Sequence, residues 1–94
     1  MTNYTVSAYS CSNAYKSIEE QCLKIRSECM ELRHECANMM NEPDNDFTRL
    51  CLMSELVDVV TACATLFEQI GVTQDELSAV AFDVLSRNIR KNRM

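Results

Sequence analysis

From Tyr15 to Met39, apolar residues recur every three or four positions without a break, and few folds accommodate such a run. Tyr15, Ile18, Cys22, Ile25, Cys29, Leu32, Cys36 and Met39 fall on one stripe of an α-helix. A strand, with its period of two, scatters the same residues over both faces. The pattern predicts a helix over residues 13–41 with Ser12 or Asn13 as N-cap. It stops at Glu42-Pro43-Asp44-Asn45-Asp46, because proline lacks the backbone donor and drives the residue before it out of the helical region.

A second helix is expected over residues 46–70. Leu52, Leu56, Val59, Cys63 and Ile70 form its stripe, and Gly71, the only glycine, stands where a left-handed C-terminal cap belongs. Thr73-Gln74-Asp75-Glu76 has the form of a capping box opening a third helix. That helix is expected to bury Leu77, Val80, Val84 and Leu85. It ends in the basic stretch Arg87-Asn88-Ile89-Arg90-Lys91-Asn92-Arg93, which suits the negative end of its dipole. The expected fold is therefore all-α, a helical hairpin plus a third helix. The chain has 94 residues, enough for one domain, read here as residues 13–94 behind an uncharged arm of residues 1–12. The arm fits a frayed segment or a short strand; Tyr9 and Tyr15 contact a ligand or pack on a neighbour, the second being favoured. A chain this short buries too little surface to be amply stable alone, so helices from a second copy are a natural supplement.

Fourteen acidic residues against nine basic ones leave a net charge of −5. That disfavours direct nucleic-acid binding, which draws its affinity from neutralising phosphates. It leaves room for phosphate chemistry through a divalent cation held by carboxylates. No membrane association is expected: the longest apolar-leaning stretch, residues 59–67, is half of what a span needs. No basic segment followed by an apolar core opens the chain, so we expect a cytoplasmic protein. In that compartment the six cysteines are read first as reduced thiols acting as small core hydrophobes, with an interhelical disulfide or a redox switch as the second reading. None stands in a C-x-x-C pair, which leaves the zinc-ribbon pattern unfilled.

On a wheel of about 100° per residue, Glu28, Glu31 and Glu35 lie beside the stripe of the first helix. Glu55 and Asp58 lie beside the stripe of the second with the same offset. Each helix thus carries a carboxylate pair three residues apart, Glu28 with Glu31 and Glu55 with Asp58, at the margin of its buried face. If the helices pack antiparallel, the pairs converge. Four carboxylates so placed repel one another unless positive charge joins them, and oxygen-only ligation suits Mg2+ or Mn2+. Glu35, one turn below Glu31, is a further ligand, a residue beside the ligands or a surface residue, and the surface is favoured. His34 is placed on the opposite side of its helix, which gives no support to histidine-based zinc or di-iron chemistry.

These residues also resemble a known family. Lys24-Ile25-Arg26-Ser27-Glu28-Cys29-Met30-Glu31-Leu32 is similar to the first motif of the MazG-like, all-α nucleotide pyrophosphohydrolases, roughly K-apolar-x-x-E-x-x-E-L. Ser54-Glu55-Leu56-Val57-Asp58-Val59-Val60 is similar to the second, E-L-x-D-apolar-apolar. Ile70-Gly71-Val72-Thr73-Gln74-Asp75-Glu76-Leu77 looks like the link into the family's third helix. The resemblance covers about residues 21–93.

It implies a helical bundle of the four-helix type, completed by dimerisation, as a homodimer or a homotetramer. It implies a hydrolase that cleaves a nucleoside triphosphate, NTP or dNTP, between the α and β phosphates. By the same resemblance Glu28, Glu31, Glu55 and Asp58 are the magnesium ligands and carry the chemistry. Lys24 is a phosphate contact or a local charge partner. In the basic end of the third helix, Arg87, Lys91 or Arg93 would reach the triphosphate and Asn88 would bond phosphate or sugar; Arg87-Asn88 and Lys91-Asn92-Arg93 compete for that place. A reading of another class stands beside this one. The three-four repeat would be a coiled-coil seam, its acidic margins setting partner choice, in a non-catalytic module that oligomerises or binds nucleotide or protein.

Overall fold

The computed structural model describes residues 2–11 and 17–91. Its helices are α1 (Ile18–Asn41), α2 (Asp46–Gln69) and α3 (Gln74–Arg90). Among the described residues there is no strand. The chain divides into two compact units, Ser7–Ile70 and Met1–Val6 with Gly71–Met94. The first unit contains the α1–α2 hairpin and the second contains α3.

α1 begins later than the apolar repeat suggests. Ser17 is its N-cap, with extended backbone and a side chain that accepts the Glu20 amide. Ser12, Asn13 and Tyr15 lie outside the described residues. The helix ends at Asn41, and Glu42 closes it with a backbone bond to Asn38. Asn45 then caps α2 by accepting from the amides of Phe47 and Thr48, two of the donors that a helix start leaves unpaired. α2 ends before Gly71, whose φ of +76° is the left-handed cap expected there.

The hairpin seam differs from the apolar stripes. α1 and α2 pack on each other, yet the buried residues of α1 are Gln21 and Glu28, and those of α2 are Thr48, Ala62 and Thr65. Ile25, Leu32 and Glu35 are half-buried along the same face of α1, while Ile18, Cys22 and Cys29 are exposed. On α2, Leu52, Val59 and Cys63 are half-buried, whereas Leu56 and Ile70 are exposed. The seam is rotated toward polar residues because it is anchored by them: Gln21 Nε2 donates to the carbonyl of Ala62 at 2.9 Å across the hairpin. Two helices bury only one face each, so the apolar residues on the far sides stay outside. Leu50, Met53, Leu56, Val57 and Phe67 leave a broad apolar surface on α2.

That surface also makes α2 long and apolar enough, by length and composition, to cross a membrane. This corrects the expectation that no stretch approaches a span. The helix nevertheless carries Glu55 and Asp58 near its middle, and a carboxylate at mid-bilayer costs several kcal/mol, about 2.5–3.5 on insertion scales. Here α2 is one half of a hairpin with a polar seam.

The six cysteines are free thiols, but they are not a core set: Cys11, Cys22 and Cys29 are exposed and the other three half-buried. Of the two forms expected for the arm, the strand is not seen among the described residues: residues 2–11 carry no regular structure, and Tyr4 and Tyr9 are exposed. Ser10 and Cys11 instead bond to α2, Ser10 Oγ to the Glu68 carboxylate and the Cys11 amide to Thr65 Oγ1 at 2.9 Å.

In the second unit, Thr73 and Glu76 form the expected capping box at the start of α3. The four residues expected to be buried are not. Leu77 and Leu85 are half-buried, and Val80 and Val84 are exposed.

Candidate functional site

α1 and α2 are both regular through the residues that matter, so spacing along each helix fixes where its carboxylates point. Glu28 lies in the seam, 7% exposed, and Lys24 reaches it from one turn earlier with Nζ 2.6 Å from its carboxylate. Glu31, one turn later, projects on the solvent side of the same face. Glu55 enters from α2. One carboxylate oxygen from each of Glu28, Glu31 and Glu55 lies within 4.8 Å of the others.

The electrostatics follow from that crowding. Loss of solvent pushes the Glu55 carboxyl above its ordinary value, and the charges of Glu31, Asp58 and Glu28, with a hydrogen bond to Glu31, push it the same way. Among the described residues Glu55 Oε2 is fully buried without a hydrogen-bond partner. An orphaned acceptor of this kind carries a desolvation cost that a cation or a donor would relieve. The Lys24 ammonium is held above its ordinary value, first by its hydrogen bond and charge pairing with Glu28, then by Glu31 and Asp58.

The donor set is all oxygen and drawn from two rigid helices. Oxygens bound to one Mg2+, each about 2.1 Å from it, stand about 3–4 Å apart, so small side-chain adjustments within the trio would meet that geometry. The residues present therefore fit a hard divalent cation.

Asp58, the fourth carboxylate of the expected set, is exposed one turn beyond Glu55. It is not one of the converging trio, but it lines a pocket with Lys24 and Glu28. The opposite flank of the trio differs from expectation. Ser27, His34 and Glu35 border a second pocket with Glu31 and Glu55. His34 is thus not on the far side of its helix: it follows Glu31 by three residues and shares its flank. Glu35 is half-buried beside the cluster and accepts from Asn38 Nδ2 at 3.4 Å. The apolar stripe points away from this flank, whereas the seam is centred on Gln21 and Glu28. Gln21 itself, 3% exposed and lining the pocket with Lys24, carried one legible signal: it stands seven residues before Glu28 and so shares its phase.

Arg87, Asn88 and Lys91 belong to the second unit. Arg87 Nε faces Asp83 at 3.4 Å one turn away, Asn88 is half-buried, and Lys91 caps the C-terminus of α3. Arg93 lies outside the described residues.

Compared with family models, curated proteins and solved structures, the chain matches none. Its function is therefore argued from the site.

Proposed function

We propose that the chain is a divalent-metal-dependent nucleoside triphosphate pyrophosphohydrolase, releasing a monophosphate and pyrophosphate. One observation carries the reading: carboxylates from two helices converge on one point, and one of their oxygens is buried without a partner. The likeness of the two acidic motifs to the MazG-like enzymes supplies the reaction.

In this reading Glu28, Glu31 and Glu55 would hold Mg2+ or Mn2+, with Asp58, the fourth carboxylate of the motifs, beside them. The cation would neutralise charge on the polyphosphate as it is cleaved. The protein's own groups do the rest. The helices fix the carboxylates before substrate arrives. Lys24, whose three N–H donors sit at the mouth of the cluster, offers a cation to a phosphate oxygen. A carboxylate oxygen of the set left unengaged accepts the proton of the attacking water.

The test is pyrophosphate release from a panel of NTPs and dNTPs with Mg2+ present. Glu55→Gln is expected to lower the rate about a hundredfold or more. Unaltered turnover in that variant would show the site to be misassigned.

A second copy belongs to the same proposal. The exposed apolar side of α2, at Leu50, Met53, Leu56, Val57 and Phe67, is the surface on which another helix pair would pack. A homodimer, or a dimer of such dimers, would complete a four-helix bundle. The alternative reading, a non-catalytic module, rests on this same surface; it predicts assembly without turnover.

A further inference from the structure

The pocket that Lys24, Glu28 and Asp58 border has a volume of about 240 Å3 and extends along the hairpin to Gln21, Thr65 and Cys11. From Glu28 to Gln21 is two turns of α1, roughly 10 Å. The two ends differ in chemistry. One end is charged and adjoins the carboxylate trio. The other has no ionised side chain from α1: Gln21 and Thr65, each 3% exposed, are the most buried residues lining it. The Ala62 carbonyl can only accept, so the bond from Gln21 Nε2 fixes the amide's orientation and leaves Oε1 as an acceptor. The arm closes this end, held by the Cys11 amide on Thr65 Oγ1 and by Ser10 on Glu68.

We propose that this pocket is the nucleoside subsite, and that Gln21 Oε1 accepts a hydrogen bond from a ring N–H or amino group of the base. The inference rests on the hydrolase reading of the adjoining carboxylates. Phosphates belong at the Lys24 end, where a cation and an ammonium offset their charge; a neutral heterocycle belongs at the amide end. A deeply placed acceptor gives selectivity as well as affinity, because a ring edge without a donor leaves it unpaired.

The experiment measures equilibrium binding with Mg2+ of two kinds of probe: the four α,β-methylene nucleoside triphosphates, which resist cleavage at the proposed bond, and inorganic tripolyphosphate, which has no nucleoside. Gln21→Leu is expected to weaken the best nucleotide about tenfold and to leave tripolyphosphate within about twofold. Because Gln21 also ties α1 to α2, Cys11→Trp is the companion variant. It fills the pocket from an exposed position, and the same split is expected. Equal weakening of both probes, or unchanged nucleotide binding, in variants that fold overturns the subsite. Wild-type protein that binds tripolyphosphate but no nucleotide overturns the subsite alone. Wild-type protein that binds neither overturns the hydrolase reading, and the subsite falls with it.

Discussion

Glu55 holds its proton more tightly in the folded chain than an ordinary glutamate does, since it is partly desolvated and faces three other carboxylates. The consequence for stability has a definite sign. A carboxyl whose pKa is raised on folding stabilises the fold in its protonated form. That contribution is complete below the ordinary value of 4.5 and is lost as pH rises through the raised one. The metal-free protein is therefore expected to melt higher as pH is lowered from neutrality toward that window. Glu55→Gln should flatten this dependence and raise the melting temperature at neutral pH. Thermal melts across that range check both. Added Mg2+ should raise the neutral-pH melting temperature of the wild type, by about 2.7 kcal/mol of stability at a hundredfold excess over its Kd. It should do little for Glu55→Gln. Gly71 makes a simpler case. A Cβ there meets nothing within 4 Å, so the cost of Gly71→Ala is backbone strain at φ +76° alone. About 1 kcal/mol is expected in urea unfolding.

Each helix depends on its ends as much as on its faces. Asn45 accepts from two amides at the start of α2, and Thr73 with Glu76 closes the start of α3 reciprocally. Asn45→Ala and Thr73→Ala should each cost about 1 kcal/mol, read as a lower melting temperature of roughly 4–8 °C. The caps at Thr73 and Gly71 were legible because capping is local: Thr73, Glu76 and Gly71 announce themselves within a few residues, whereas Asn45 is lost in the polar break around Pro43. The start of α1 was not. The apolar repeat runs back to Tyr15, but Ser17 satisfies the first amides, so hydrogen bonding sets the boundary and not the apolar period. The faces show the same limit. Spacing placed Glu28, Glu31, Glu55 and Asp58 on adjoining margins, and the structure brings three of them together. Spacing also sent His34 away from the site and made Cys22 and Cys29 core residues. Both errors follow from assuming that the most apolar line of a helix is the one its nearest neighbour covers.

For the molecule as a whole, the apolar side of α2 is, among the described residues, a surface with nothing packed on it at Leu50, Met53 and Val57. If a second copy covers it, Val57→Glu, at a position 44% exposed, should yield monomers in analytical ultracentrifugation. Mg2+ binding at Glu55 should survive, because Val57 points away from the seam. A wild type that is monomeric at tens of micromolar would remove the second copy from the proposal. Detergent-free solubility of the wild type bears on α2 as well: a true membrane span would not remain dispersed in water.

The sequence by itself determined the helices, the breaks between them, and the phase relation of two acidic pairs. All three are short-range properties, set by backbone geometry and by the period of about 3.6 residues. Tertiary structure alone decided which face of each helix meets the other. At the face that is buried, Gln21 bonds across the hairpin to Ala62, and a Lys24–Glu28 pair within α1 lines the edge of the seam. An isolated helix with both an apolar stripe and a polar line beside it is undecided between them. The partner settles it, and with it which carboxylates lose their water and which pocket opens beside them.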